Sequence, residues 1–276
     1  RWIGKMGNII WLASYPRSGN IWLQAFLYCL IHDAHSPPSL AALAAFCTPE
    51  NSALHFLSPE SRPLGEWSRE ETASHRAAAQ AAIAKLRGDN VFSNTHAALS
   101  MNHGAATIEM AQTAAAIYLV RNPLDIALSL AADQSMSIDE AIIRLETEHE
   151  TENSDQFAYE CQGSWSSNVL SWTRQRHAGL HLLRFEDMLH ASEKAFGPLA
   201  TFLGFDASPA RISRAIHLSS FANLAPEAAK AGKDNLVRTG KANQWREALK
   251  DAQVSRIVRR HGKQMKRFGY IPDDYT

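Results

Sequence analysis

Four apolar or β-branched runs and a weaker fifth govern how this chain can fold: IIWLAS (9–14), NVFSNTH (90–96), AIYLVR (116–121), HLLRFE (181–186) and GYI near the C-terminus. Each is short, rich in β-branched or aromatic residues, and suited to a strand buried on both faces. Helical patterns lie between them, in IWLQAFLYCLI, REETASHRAAAQAAIAKLR, PLDIALSLAAD, SWSSNVLSWTRQRH and SEKAFGPLATFLGF. Strands that alternate with helices imply right-handed crossovers and a parallel sheet covered by helices on both sides. The predicted fold is therefore a three-layer α/β/α unit with a central parallel sheet of about five strands. Folds of this kind bind ligands beyond the carboxyl ends of their strands.

No repeat or composition break divides the chain, so a single domain is expected over residues 6–276; residues 1–5, RWIGK, precede Met6 and are set aside. Lys plus Arg and Asp plus Glu both total 28. Such a balance gives no bulk field to recruit nucleic acid or an anionic membrane, and any anion site must be local. Cys29, Cys47 and Cys161 are odd in number, widely spaced and lack metal-ligand spacing, which suits buried thiols in a reducing compartment better than a disulfide framework. No stretch approaches the ~20 apolar residues of a membrane span, and the N-terminus lacks the pattern of a signal peptide. The expected location is cytoplasmic. Residues 36–75 read as an irregular excursion on the substrate side, the acidic segment 146–156 as a solvated loop or helix end, and residues 226–241 as mobile.

Two turns carry chemistry. In ASYPRSGNIW (13–22), a strand ends near Tyr15, Gly19 allows a positive φ, and a helix begins near Asn20. The free N–H groups of such a helix start converge on one point and suit an anion. Arg17 adds a fixed cation, and Ser18 and Asn20 can donate further hydrogen bonds. The nucleotide-triphosphate loop GxxxxGK[ST] does not fit, because the turn has one glycine and no Gly-Lys pair. In YLVRNPLDIALSLA (118–131) a second strand ends at Arg121, Pro123 suits a first helical position, and Asp125 suits a first turn. Ser129, two turns further on, could share an anion with Arg121. An ordinary junction with Arg121 paired to Asp125 is the other reading. Two anion turns at strand ends imply a ligand with two separated phosphate-like groups.

These segments resemble the sulfotransferases that use 3′-phosphoadenosine 5′-phosphosulfate (PAPS). YPRSGNIW is similar to their 5′-phosphosulfate loop, YPKSGTTW, and RNPLDIALS to their 3′-phosphate motif, RNPKDVAVS. Further likenesses follow in the family's order: FSNTHAAL with KTHLP, GSWSSNVLSW with GSWFDHVKGWW, LLRFEDM with LFYEDM, SSFANL with TSFEVM, and VRTGKANQW with RKGxxGDW. The first of these turns and GSWSSNVLSW look closer to bacterial members, including those that sulfate glycopeptide antibiotics.

The resemblance implies a P-loop-like fold and assigns roles. Arg17, Ser18, Gly19, Asn20, Ile21 and Trp22 would wrap the 5′-phosphosulfate, with Trp22 against the adenine. Arg121 and Ser129 would hold the 3′-phosphate, joined by Arg238, Thr239 and Gly240 of the C-terminal loop. Phe185, Ser219 and Phe221 would surround the adenine. His96 would be the general base, imidazole being able to take a proton at neutral pH. Arg17 would stabilise charge on the leaving oxygen; a guanidinium with a pKa above ~12 serves electrostatically and not as an acid.

PAPS would be the co-substrate, 3′,5′-adenosine bisphosphate (PAP) the product, and no metal would be required. The acceptor would be a hydroxyl or phenol on a small molecule, in a pocket formed from residues 36–75, 97–104 and 133–165. A homodimer stays open, although the dimerisation motif of the animal enzymes does not follow Trp245. Departures from the family pattern include Asn94 for Lys, Asn20 and Ile21 for two threonines, Phe185 for Tyr, and Asn243 and Gln244 for Gly and Asp. Two alternatives are a nucleotide kinase of related architecture and an adenosine-bisphosphate-binding protein without catalysis.

Overall fold

The structure, a computed structural model, describes residues 8–56, 62–174, 179–233 and 240–275. Its strands are β1 (Ile9–Ser14), β2 (Cys47–Pro49), β3 (Val91–Thr95), β4 (Met101–Asn102), β5 (Ala105–Ala106), β6 (Thr113–Val120) and β7 (Leu180–Arg184). Five of them form one sheet in the order β2-β3-β1-β6-β7, every pair parallel, while β4 and β5 make a separate small ladder.

β1 lies at the centre of the sheet, and all six of its residues are buried. Successive side chains face opposite sides, so the one strand feeds two cores. Ile10 and Leu12 pack with Ile117, Leu119 and the helix α1 (Asn20–Ile31), whereas Ile9, Trp11 and Ala13 pack with Tyr118, Val120 and the helix α4 (Pro123–Asp133). The helices between are α2 (Leu40–Phe46) and α3 (Arg69–Ala84). They are followed by α5 (Ile138–Glu146), α6 (Trp165–Thr173), α7 (Phe185–His190), α8 (Ser192–Phe202), α9 (Pro209–Leu218), α10 (Phe221–Lys230), α11 (Trp245–Ala248) and α12 (Asp251–Arg267). Ser68 and Ser137 start α3 and α5 with reciprocal capping boxes to Glu71 and Glu140, each satisfying two otherwise unpaired amides.

Several expectations are corrected. The fifth strand is not GYI but Cys47–Pro49, at the sheet edge and inside the segment expected to be irregular. Three residues are too few to show a period. GYI instead closes α12: Gly269 takes φ +69°, and the Tyr270 N–H donates to Met265 O at 2.9 Å, a helix-ending turn that glycine makes at little cost. β7 stops at Arg184, and Phe185–Glu186 open a helix. The supposedly mobile 226–241 is helical as far as Lys230; residues 234–239 lie outside the described residues. The acidic segment is stitched down as well as solvated. Arg256 Nε lies 2.9 and 3.0 Å from the two Glu146 carboxylate oxygens, and Glu150 accepts from Asn102 Nδ2 at 2.6 Å.

Candidate functional site

The carboxyl ends of four sheet strands meet one cavity of about 400 Å³. Arg17, Ser18 and Gly19 follow β1, His96 follows β3, Arg121 follows β6 and Phe185 follows β7; all line it. Parallel register brings them level, since Ala13 pairs with Thr95 on one side and Tyr118 on the other, and Val120 with Arg184. The strand ends are thus where a ligand is expected in an open α/β sheet.

The first turn is built to leave amides unspent. Gly19, at φ +110°, sits so close to Phe185 that an added Cβ would come within 2.8 Å of the ring. The Trp22 and Leu23 N–H groups fold back onto Gly19 O at 3.1 and 3.3 Å, which leaves those of Asn20 and Ile21 at the open helix start. Both ends of the Asn20 side-chain amide are buried without a hydrogen-bond partner, an arrangement that costs free energy unless a ligand completes it. The Ser18 hydroxyl donates to Tyr15 O at 2.7 Å and tightens the loop. Arg17 takes φ +66°, uncommon for a residue with a side chain, and the Arg121 Nη1 donates to its carbonyl at 2.9 Å.

Arg121 spans both halves of the site. Its guanidinium carbon lies 4.2 Å from the Phe185 ring centroid, and Nη2 donates to Lys241 O at 3.3 Å. Asp125, which could have been its partner, instead accepts the Asn243 and Trp245 N–H groups at 2.7 and 3.1 Å. Burial pushes the Asp125 carboxyl up, opposed by Arg121 and by those amides. Asn243 occupies the family's glycine position and adopts φ +62°, the left-handed backbone that Asn tolerates best among residues with a Cβ. Gly240, at φ +56°, rests on Phe221 so closely that an added Cβ would meet the ring at 2.3 Å.

The predicted aromatic residues do come together. Trp22 is 4.8 Å from Phe221 and 5.8 Å from Phe185, both edge-to-face, and it also packs in the core. At 4.8 Å and 64° Trp22 and Phe221 touch, leaving no gap the thickness of a base between them. Ser219 is fully buried, donates to Ile216 O at 3.2 Å and does not line the cavity. Arg238 and Thr239 lie outside the described residues.

His96 is half-buried, its ring held through Nδ1 and its backbone through both N–H and C=O. Nδ1 is 2.9 Å from Ser14 O, the His96 N–H donates to Glu160 Oε1 at 3.0 Å, and Asn168 Nδ2 donates to His96 O at 2.8 Å. A carbonyl can only accept, so Nδ1 carries the proton and Nε2 presents its lone pair.

Motif matching missed Asp133, Arg144 and Gln162, all of which line the cavity. Asp133 lies one helical turn beyond Ser129, a spacing that places both on one face. Arg144 and Gln162 carry no sequence signal of their own. Of the segments expected around the acceptor, 133–165 supplies Asp133, Gln134, Arg144, Thr151 and Gln162 to this cavity, whereas no described residue of 36–75 lines it, and Ala98–Ser100 line a separate groove with Cys161 and Trp172. Among the described residues no group of three or more His, Cys, Asp or Glu is arranged to hold a metal ion, and no helix is long and apolar enough to cross a membrane.

The sulfotransferase domain family model matches residues 8–269, and the chain belongs to that family. Comparison with curated protein sequences gives no significant match. Among solved structures, retinol dehydratase with androsterone and the inactive cofactor PAP is similar with a TM-score of 0.66 at 16% identity, over 96% of this chain and 82% of that one. A mouse sulfotransferase complexed with PAP gives 0.59 at 17%, over 98% and 91%. An Arabidopsis thaliana putative steroid sulphotransferase gives 0.57 at 17%, over 96% and 78%. At these identities the structural likeness concerns the fold.

Proposed function

We propose that this sulfotransferase moves the sulfuryl group of PAPS to a hydroxyl or phenol of a small-molecule acceptor, with His96 as general base and Arg17 as the cation at the leaving oxygen. The observation that carries this reading is the hydrogen bond from His96 Nδ1 to Ser14 O at 2.9 Å, in a ring that lines the same cavity as Arg17. A carbonyl partner selects one tautomer and leaves Nε2 basic, which is what removing a proton from an attacking oxygen demands.

The residues present fit the donor. The unpartnered Asn20 amide and the free N–H groups of Asn20 and Ile21 suit the 5′-phosphosulfate; Arg121 and Ser129, the residues proposed for the 3′-phosphate, line the same cavity, with Ser129 Oγ accepting from Arg17 Nε. Ile21 offers only its backbone, so the sulfuryl end has fewer hydroxyl donors than the family pattern provides. PAPS supplies the transferable SO₃ and a phosphate leaving group. Arg17 favours the charge that develops there, which lowers the barrier more than it tightens ground-state binding. Solved relatives hold PAP, and one of them holds androsterone, which supports a donor of this type and a small organic acceptor.

The test offers the protein labelled PAPS and, separately, labelled ATP, each with a panel of phenols and alcohols. Label transfer from PAPS with release of PAP is expected. Transfer from ATP alone would make it a kinase, and tight PAP binding without turnover would make it a binding protein.

A further inference from the structure

The cavity wall next to His96 is polar and holds a cation without a carboxylate partner. Gln134, Arg144, Thr151 and Gln162 line it. Arg144 Nη2 donates to Gln162 Oε1 at 3.1 Å, Nη1 donates to Gln134 Oε1, and Nε is buried with no partner. Gln162 Nε2 lies 3.3 Å from Glu160 Oε2, and Glu160 Oε1 accepts the His96 N–H at 3.0 Å. Arg144 is therefore three hydrogen bonds from the proposed base. Through Gln134 it also adjoins Asp133, the residue that holds Arg17.

The nearby carboxylates are committed elsewhere. Asp133 pairs with Arg17, Glu160 serves His96 and Gln162, and Glu148 accepts from Ser164 N at 3.3 Å and Ser167 Oγ at 2.8 Å. Among the described residues no ion pair involves Arg144. A cation in the last turn of α5 complements the helix dipole, which accounts for charge at that position. It does not account for a guanidinium turned onto two neutral amides at the cavity wall. Two amide oxygens hold the planar fork in place without neutralising it, an arrangement matched to a bidentate carboxylate.

We propose that Arg144 binds a carboxylate of the acceptor, so that the preferred substrates are hydroxy acids or phenolic acids and not neutral steroid-like alcohols. This rests on the sulfotransferase reading and specifies its acceptor. A carboxylate on Arg144 and a hydroxyl at His96 Nε2 would be the two ends of one short molecule.

The experiment compares matched pairs that differ only in that charge: 4-hydroxyphenylacetate with its methyl ester, and 3-hydroxybutyrate with its methyl ester. The expected result is a kcat/KM at least tenfold higher for the acid of a pair. Arg144→Gln should collapse this acid-over-ester ratio at least tenfold, and Arg144→Lys should restore part of it. PAP affinity and melting temperature report that each variant is folded. If no pair is turned over, calorimetry of the same pairs on protein saturated with PAP decides: tighter acid binding that is lost in Arg144→Gln supports the assignment. Equal preference for acid and ester, no binding of either, or a variant that alters the affinity for PAPS and leaves the ratio intact would overturn it. Failure of the sulfotransferase reading looks different, with no PAP binding and no PAP release for any acceptor.

Discussion

Arg17 Nη1 lies 2.9 Å from Asp133 Oδ1, while the same side chain donates from Nε to Ser129 Oγ at 3.1 Å. The two partners sit one turn apart on α4 and hold the guanidinium at the proposed site of charge development. A carboxylate there offsets the cation and repels an incoming dianion. Asp133→Asn keeps the shape and removes the charge. Partly exposed ion pairs contribute up to about 1 kcal/mol, roughly fivefold in an equilibrium constant. The variant should lower KM for PAPS two- to fivefold and raise acceptor-independent hydrolysis of the donor. A higher KM would show that Asp133 aids binding by holding Arg17 in place.

His96→Ala should reduce kcat by about 10²-fold or more, the usual scale for loss of a general base. PAP affinity, measured by calorimetry, should stay within a factor of two, because the role proposed for the ring is toward the acceptor hydroxyl and not toward the nucleotide phosphates. Full activity in this variant would remove His96 from the mechanism.

Arg121→Ala tests the second anion turn. Its guanidinium is held by Arg17 O, Lys241 O and the Phe185 face, so it is preorganised for a phosphate. Hydrogen bonds to charged groups contribute ~1.5–3 kcal/mol, and PAP should bind about tenfold to a hundredfold more weakly. Unchanged affinity would refute the 3′-phosphate assignment.

The two strand-end turns that line the cavity were legible because their geometry is local. A strand end, a glycine and a helix start occupy consecutive residues, and ASYPRSGNIW and YLVRNPLDIALSLA display them in order. The core strands were legible for a similar reason: β1 and β6 are mostly apolar with Ile, Trp, Leu, Tyr and Val at their centres, and β3 opens on Val91 and Phe92.

The proposed acceptor wall was not legible. Arg144 is an ordinary polar position on an amphipathic helix, and only the packing of α5 beside the segment that carries Gln162 gives it a role. Asp125 shows the opposite error, since a helix N-terminal carboxylate explains itself locally while the structure uses it to tether residues 118 and 120 positions away. The three-residue β2 falls below the length at which alternation can be seen.

The last prediction concerns stability. His261 on α12 is buried beside Trp165, with Nδ1 2.8 Å from Ser166 Oγ. Burial pulls its pKa down from 6.5 to about 4, with Arg260 adding to the effect and Glu146 opposing it. The unfolded chain therefore binds a proton in the window from about 6.5 to about 4 that the folded protein refuses. Stability from this group is complete above 6.5 and is lost as the pH falls through that window. The gap corresponds to ~3 kcal/mol, or roughly 10 °C in melting temperature for a chain of this size. His261→Gln cannot take up the proton. Melting followed from pH 7 to pH 4 should therefore fall more steeply in the parent protein than in the variant, and parallel slopes would show that His261 takes up its proton equally in the folded and unfolded states.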